Sequence, residues 1–212
     1  MKLNIAVLPG DGIGPEVIAQ AVKVLKAVAM EFNHVFTFQN ALVGASAIEK
    51  TGDPLPKETI SICKKADAVL FGAIGDTKFD ENPDAKIRPE QGLLGIRKEL
   101  GLYTNIRPII AYEDLLSKSS LKVKQIKDTN IVIYRELTGG IYFGKRFLSE
   151  DGNTASDVCE YKRFEIERIT HLAFKAALTR KRKLTLVDKA NVLESSRLWR
   201  RVVKEIAPKY PN

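Results

Sequence analysis

Short apolar runs and amphipathic segments alternate along the first hundred residues. Three runs bounded by glycine, proline or polar residues predict buried strands at residues 3–8, 35–39 and 67–72. Two segments with apolar residues at helical spacing predict helices at residues 15–28 and 54–65. Pro15 suits the first turn of its helix, where the missing N–H costs no hydrogen bond. The strand–helix–strand order predicts a layered α/β fold with parallel strand pairing.

The second half of the chain follows a long polar segment. Residues 75–91 are polar and contain Pro83 and Pro89, and a connection of this length predicts a binding loop. Further helices are predicted at residues 91–100, 163–179 and 195–207, and further strands at residues 130–137 and 184–187. Residues 145–161 are polar with a turn signal at Gly152, and they predict a protruding hairpin.

The composition is that of a globular protein. Of the 212 residues, 44% are hydrophobic and 28% charged, which excludes collagen-like and wholly disordered classes. No stretch approaches the ~20 apolar residues that a membrane helix needs, and Pro9 comes too early for a secretory signal. Cys63 and Cys159 lie too far apart for a zinc knot or a disulfide framework, so we expect a reducing cytoplasm and no membrane.

The net charge of +8 is concentrated near the C-terminus. Residues 171–212 contain 11 Lys and Arg against 3 Asp and Glu, whereas the rest of the chain is balanced. Part of this surplus is the basic run at residues 180–183, which we interpret as a solvated turn. No aromatic residue interleaves the run, as binding of single-stranded nucleic acid would require, so we expect no nucleic-acid partner.

A glycine cluster follows the first predicted strand. Gly10, Gly12 and Gly14 precede a helix N-terminus, where backbone N–H groups favour an anion. The third glycine arrives one residue too early for the dinucleotide fingerprint G-x-G-x-x-G of the Rossmann fold. By itself the cluster fits either a tight turn or a close approach of the backbone to a ligand.

Three arginines form a second group of candidates. Arg97 lies on a predicted helix, Arg107 follows a predicted strand, and Arg135 lies within one. The apolar segments around Arg107 and Arg135 predict that both are buried with a partner. If the three converge, they can hold a dicarboxylate through bidentate charge-assisted bonds; if not, they form separate structural ion pairs. The spacing does not decide between these alternatives.

Lys189 and Tyr142 are the candidates for proton transfer. Lys189 follows a predicted apolar strand, where apolar neighbours would favour its neutral, basic form. The alternative is a lysine that extends into solvent at a strand end. Tyr142 follows the break at Gly139 and is either a half-buried aromatic or a proton donor.

Five motifs together resemble one family, in that family's order. They are GDGIGPE (10–16), QGLLGIR (91–97), NIRP (105–108), RELTGGIYFG (135–144) and VDKANVLE (187–194). They are similar to the β-decarboxylating dehydrogenases, the isocitrate/isopropylmalate dehydrogenase family, and within it to the 3-isopropylmalate dehydrogenases of leucine biosynthesis. The resemblance extends from one end of the chain to the other.

The resemblance implies an α/β architecture of the family's own, distinct from the Rossmann fold and incomplete in this chain. It implies the first part of domain 1 in residues 1–103 and part of domain 2 in residues 104–212, with an arm hairpin at about 139–161 and a homodimer. The family's metal-binding aspartates and adenine loop would lie beyond residue 212. We therefore expect no metal ligand within the chain and no activity of these 212 residues alone.

The resemblance also implies NAD-dependent oxidative decarboxylation of 3-isopropylmalate to 4-methyl-2-oxopentanoate, with Mg²⁺ or Mn²⁺ at the enolate oxygen. Tyr142 would protonate the enolate, and Lys189 would act as the base in the partner subunit's site. The implied substrate-binding residues are Arg97, Arg107, Arg135, Leu93, Leu94 and Val192. The implied cofactor-binding residues are Ile13, Gly75, Asp76, Thr77, Glu90 and Asn191.

The substrate and the class of function each have a competing interpretation. Leu93 and Leu94 suit an isopropyl group and cannot pair the third carboxylate of isocitrate. A rival function of another class is a non-catalytic basic binding or assembly module, which only the charge surplus at residues 171–212 favours.

Overall fold

The computed structural model describes residues 1–81 and 85–211, and the chain divides into two compact units, Met1–Gly101 and Leu102–Asn212. The first unit contains a parallel sheet of three strands, in the order β2-β1-β3. The strands are β1 (Lys2–Gly10), β2 (Val35–Asn40) and β3 (Ala68–Ala73). Lys2 lies opposite Val35, and Ile5 lies opposite Ala68. Because the strands run in one direction, their carboxyl ends meet at one edge of the sheet.

Helices cover both faces of this sheet. They are α1 (Gly14–Glu31), α2 (Ala45–Thr51), α3 (Lys57–Lys65), α4 (Thr77–Asp80) and α5 (Pro89–Glu99). Successive side chains of β1 point to opposite faces. Leu8 packs with Cys63 and Ile96 on one face, and Val7 packs with Ile18 on the other. The central strand is therefore buried on both sides, as is typical of parallel sheets.

The second unit combines antiparallel strand pairs with two long helices. The strands are β4 (Thr104–Ile110), β5 (Asn130–Glu136), β6 (Arg146–Leu148) and β7 (Ala155–Asp157). The helices are α6 (Val123–Ile126), α7 (Arg163–Leu178) and α8 (Glu194–Ile206), with 3-10 turns at Glu113–Lys118 and Ala207–Lys209. β4 pairs with β5, and β6 with β7. Ile166 of α7 and Val202 and Ile206 of α8 form the buried core.

The structure confirms most of the predicted elements and corrects two expectations. Residues 184–187 are not a strand: Val187 is 90% exposed, and no described strand pairs with this segment. The predicted helix at residues 54–65 begins only at Lys57, because Pro54 and Pro56 precede it. The parallel pairing predicted for the first hundred residues is confirmed, and the described strands of the second unit pair antiparallel. No helix of the described residues is long and apolar enough to span a membrane.

Candidate functional site

The carboxyl edge of the parallel sheet carries several predicted cofactor residues. Ile13 follows β1 and is exposed, and Gly75 follows β3. A Cβ on Gly12 would lie 3.9 Å from the carbonyl oxygen of Gly75, so the two loops are neighbours. A Cβ on Gly75 would lie 3.5 Å from Oε1 of Glu90, which places that carboxylate at the same edge.

The loop after β3 is partly helical. Asp76 begins α4 by accepting a hydrogen bond from the N–H of Lys78 at 3.1 Å, so its side chain acts as a helix cap. Thr77 is exposed at the first position of that helix. Lys78 forms an ion pair with Glu49. Residues 82–84, which belong to the predicted binding loop, lie outside the described residues.

Helix α5 presents the predicted pocket residues of the first unit. Gly92 and Ile96 face inward, and a Cβ on Gly92 would lie 2.4 Å from the carbonyl oxygen of Pro54. Leu93 and Arg97 are four residues apart and share another face of the helix, with Leu94 three residues before the arginine. All three are half-buried. The structure thus places them together, as the motif predicted.

Asp11 is a functional candidate that the sequence reasoning missed. It is 5% exposed at the end of β1. Its Oδ2 accepts hydrogen bonds from the N–H groups of Ala45 at 2.8 Å and Gly75 at 3.1 Å, and its Oδ1 accepts one from Ser46 at 2.9 Å. The side chain therefore links three segments at the carboxyl edge. Its signal in the sequence was a carboxylate between two glycines directly after a buried strand.

In the second unit, one face of the β4–β5 pair gathers two of the three predicted arginines and the tyrosine. Asn105 lies directly opposite Arg135, and Arg107 is the next residue of β4 on that face. Nη2 of Arg135 donates to the hydroxyl oxygen of Tyr142 at 2.9 Å, and its guanidinium lies 5.3 Å from the ring centre. Nε of Arg107 donates to Oδ1 of Asn105 at 2.8 Å.

Two expectations about these arginines are wrong. Arg107 lies within β4 and not after it, and both Arg107 and Arg135 are exposed. Their strands are apolar, but side chains alternate across a strand, and α7 contacts β5 while this face stays open. Tyr142 is 40% exposed beside Arg135. Two cationic side chains and a phenol on an open face can bind and protonate an organic acid.

A buried ion pair that the sequence reasoning also missed lies at the end of β5. Nη2 of Arg168 donates to Oε1 of Glu136 at 2.6 Å. Oε2 of Glu136 accepts from the N–H groups of Thr138 and Gly139 at 2.8 and 2.7 Å. The guanidinium of Arg168 lies 4.4 Å from the ring centre of Tyr103. The pair fixes the turn that leads from Arg135 to Tyr142.

Lys189 lies in a turn that helix α8 holds in place. Its N–H donates to Oγ of Ser196 at 3.1 Å, and Nε of Arg197 donates to the carbonyl oxygen of Ala190 at 3.0 Å. Lys189 is exposed, which agrees with the alternative of a lysine that extends into solvent, and the strand predicted before it does not form. Asn191 and Val192 of the same turn are also exposed.

The neighbouring Asp188 forms an ion pair with Arg200 through two hydrogen bonds. Nε and Nη2 of Arg200 donate to its two carboxylate oxygens at 3.0 and 2.7 Å. The side chain of Asp188 is 8% exposed, whereas that of Arg200 is about half exposed. The hydrogen bonds from Arg200, and then the N–H of Ala190, hold the pKa of Asp188 below its ordinary value. The ion pair therefore anchors the turn to α8.

The described residues differ in how well they fit the two implied cofactors. No group of three or more His, Cys, Asp or Glu side chains among residues 1–81 and 85–211 could hold a metal ion, so these residues do not fit a divalent metal. The carboxyl edge of the first unit fits a dinucleotide better. Gly12 and Gly75 leave space where a Cβ would stand, and the N-terminus of α1 lies beside them.

Comparison with known proteins agrees with these features. Residues 4–212 match the family described as isocitrate/isopropylmalate dehydrogenase. The chain is 53% identical over 216 residues to the 3-isopropylmalate dehydrogenase of Bacillus subtilis, and 52% identical over 211 residues to that of Bacteroides fragilis. Each alignment covers 100% of this chain and 59% of the relative.

Solved structures show the same relationship. The isocitrate dehydrogenase from Methylococcus capsulatus has a TM-score of 0.83 and 31% identity, covering 98% of this chain and 57% of that one. A β-decarboxylating dehydrogenase from Thermococcus kodakarensis, in its apo form, has a TM-score of 0.68 and 36% identity. The chain spans about three fifths of the length of the curated relatives that it matches. It belongs to the isocitrate/isopropylmalate dehydrogenase family.

Proposed function

We propose that this chain takes part in the NAD-dependent oxidative decarboxylation of 3-isopropylmalate, a step of leucine biosynthesis. The observation that carries the proposal is the joint placement of Arg107, Arg135 and Tyr142 on one open sheet face. That face offers positive charge for carboxylates beside a proton donor. The 52–53% identity to curated 3-isopropylmalate dehydrogenases favours this substrate over others of the family.

The contact between Arg135 and Tyr142 suits protonation of an enolate. The guanidinium has only donors, so the tyrosine oxygen must accept in this bond, and its own proton points elsewhere. We propose that Arg97, Arg107 and Arg135 bind the malate carboxylates while Tyr142 delivers its proton to the enolate carbon after carbon dioxide leaves. Leu93 and Leu94, with Val192, contact the isopropyl group.

Lys189 is proposed as the base. It takes the proton of the substrate hydroxyl as the hydride of C2 departs, which yields the β-keto acid that then loses carbon dioxide. NAD supplies the acceptor for that hydride. Ile13, Gly75, Asp76, Thr77, Glu90 and Asn191 are proposed to contact it. Asn191 follows Lys189 in the turn that α8 holds, so both residues depend on the same anchoring contacts.

The test is a steady-state assay of NAD reduction with Mn²⁺ present, on this chain extended to the full length of its relatives (the extended protein). We expect kcat/KM for 3-isopropylmalate to exceed that for isocitrate by about 100-fold or more, because leucines leave the third carboxylate unpaired. Comparable kcat/KM values for the two acids would contradict the substrate assignment. The 212-residue chain alone is assayed in parallel, and we expect no turnover from it.

We also propose a cytoplasmic homodimer in which Lys189 and Val192 serve the partner subunit's site. The exposed apolar residues Phe147 and Leu148 of the β6–β7 hairpin support an association surface. Complementation tests the shared site. Tyr142→Phe and Lys189→Ala homodimers should each be nearly inactive, whereas mixing after dissociation should restore about a quarter of the parental activity through heterodimers with one intact site. No recovery on mixing would place both residues in one subunit's site.

A further inference from the structure

Asp11 is a buried carboxylate to which the proposed reaction assigns no step. Its described side-chain contacts are the backbone N–H groups of Ala45, Ser46 and Gly75. Ala45 and Ser46 form the first turn of α2, and Gly75 follows β3. The N–H of Asp11 also donates to the carbonyl oxygen of Ala73 at 2.8 Å. We call this arrangement, of the Asp11 carboxylate with the three N–H groups, the Asp11 clasp.

The backbone approaches this carboxylate at distances that only glycine permits. A Cβ on Gly44 would lie 2.3 Å from Oδ2 of Asp11, and Gly44 has a φ of +79°. A Cβ on Gly10 would lie 1.9 Å from the carbonyl oxygen of Ala73, and Gly10 has a φ of +73°. Both glycines therefore adopt a conformation that other residues avoid, and in doing so they close the backbone around the clasp.

We propose that Asp11 is a positioning residue for NAD, because it holds the Gly75 loop in the conformation that the cofactor requires. The inference rests on the proposed function, in which Gly75 and its neighbours contact NAD. A loop that occupies its binding conformation only part of the time lowers the apparent affinity by that fraction. The carboxylate acts on the cofactor through the backbone and does not touch it.

The clasp specifically requires an aspartate. Three N–H donors point at two carboxylate oxygens, and Oδ2 accepts two of them. Asparagine has nearly the same shape but only one oxygen, and its NH₂ group is a donor. In either orientation of the amide, at least one backbone N–H faces another donor in a buried position. Asp11→Asn therefore disrupts the clasp without removing volume.

The experiment compares Asp11→Asn with Asp67→Asn in the extended protein. Asp67 is a matched control because its Oδ2 also accepts from a backbone N–H, that of Asn4 at 2.7 Å, but at the opposite end of the sheet. Calorimetry measures the Kd of NAD, and amide hydrogen exchange is measured at Ala45, Ser46 and Gly75 without NAD. Steady-state kinetics gives the KM for NAD and kcat.

We expect Asp11→Asn to raise the Kd and KM for NAD about tenfold, the usual size for residues that orient a binding group, and to leave kcat at saturating NAD within about twofold. Exchange at the three amides should accelerate. Asp67→Asn should change none of these quantities. Unchanged NAD affinity in Asp11→Asn overturns the inference. If the parent itself binds no NAD, both the inference and the proposed function fail, which is a different result from a loss confined to the variant.

A measurement on the parent decides the question if Asp11→Asn does not fold. Coupling between two sites is reciprocal, so NAD that requires the clasp must also stabilise it. Titration with NAD should slow the exchange of the Ala45 and Ser46 amides, which belong to the clasp but not to the proposed cofactor contacts. If saturating NAD does not change exchange at these two amides, the clasp and the cofactor are independent and the inference is wrong.

Discussion

At the scale of single residues, two buried carboxylates organise the loops that carry the candidate chemistry. Asp11 directly follows β1 and binds N–H groups of Ala45, Ser46 and Gly75, whereas Glu136 ends β5 and binds those of Thr138 and Gly139. Glu136 thus joins a strand end to the turn that follows it, whereas Asp11 joins the end of β1 to α2 and to the loop after β3. Of these two carboxylates, only Glu136 has a charged partner among residues 1–81 and 85–211, and that partner is Arg168. Removing the charge of Glu136 therefore leaves a guanidinium without its counter-ion.

The first prediction concerns this ion pair. Glu136→Gln should lower the free energy of unfolding by about 2 kcal/mol, less than a fully buried pair would lose, because the side chain of Arg168 is 29% exposed. Urea unfolding followed by fluorescence measures it, since Trp199 is the chain's single tryptophan and lies in α8 of the same unit.

The control is Glu205→Gln. Glu205 pairs with Arg163 between α8 and α7, where both side chains are about half exposed, so its loss should lower the free energy of unfolding less than the loss of Glu136 does. Equal urea midpoints for the two variants would show that the Glu136 pair contributes no more than a surface contact.

At the scale of elements, the sequence predicted those that a local pattern of apolar and turn residues defines. Helix α1 and strands β1, β2 and β3 followed from local periodicity and turn residues. Residues 184–187 had the same apolar character but do not form a strand, because a strand needs a neighbour that the local pattern does not reveal. The α8 helix was predicted, but its role in holding the Lys189 turn was not.

The candidate site shows the same division. The motifs placed Leu93, Leu94 and Arg97 on one helix correctly, because helical spacing is local. The exposure of Arg107 and Arg135 depends on what covers one face of β4 and β5, which is a non-local property. Asp11 could not be assigned from spacing, since its partners lie 34 to 64 positions away in the sequence.

The second prediction concerns the turn that α8 anchors. Arg200 lowers the pKa of Asp188, so the ion pair contributes fully above the ordinary aspartate value of about 3.9 and is lost as the pH falls through the lowered pKa. The amide of Ala190, which donates to Oδ1 of Asp188 at 3.1 Å, should therefore stay protected from pH 7 to about 4 and lose protection below.

The measurement compares amide exchange at Ala190 with amide exchange at residues of β5. Local opening of the turn accelerates exchange at Ala190 alone, whereas global acid unfolding accelerates it at both. Asp188→Asn provides the control, because an amide does not titrate and the Ala190 amide should show no acid step of its own. A step that persists in this variant would assign the transition to another group.

At the scale of the whole molecule, the two units differ in how completely their sheets are covered. The parallel sheet has apolar clusters on both faces. The β4–β5 pair instead has exposed isoleucines, at positions 106, 109, 110, 131 and 133. Apolar surface of this kind adds nothing to stability while it faces water.

The third prediction follows from this difference. In the 212-residue chain, limited digestion with thermolysin should cleave within residues 102–212 before residues 1–73, because local opening needs less energy where fewer apolar groups are buried. Mass spectrometry of the early fragments identifies the cut sites. First cuts inside β1 or α1 would contradict the assignment of the more stable core to the first unit.

The position of β1 at the centre of its sheet has a consequence during synthesis on the ribosome. β1 is made before both of its neighbours, which are complete only at Asn40 and Ala73. At 5–20 residues per second, the edge that pairs with β2 stays unpaired for about 2–6 s after Gly10 is made, and the edge that pairs with β3 for about 3–13 s. Unpaired apolar strand edges are templates for aggregation. We therefore expect a ribosome-associated chaperone to bind the apolar segment of β1, which consists of Ile5, Ala6, Val7 and Leu8.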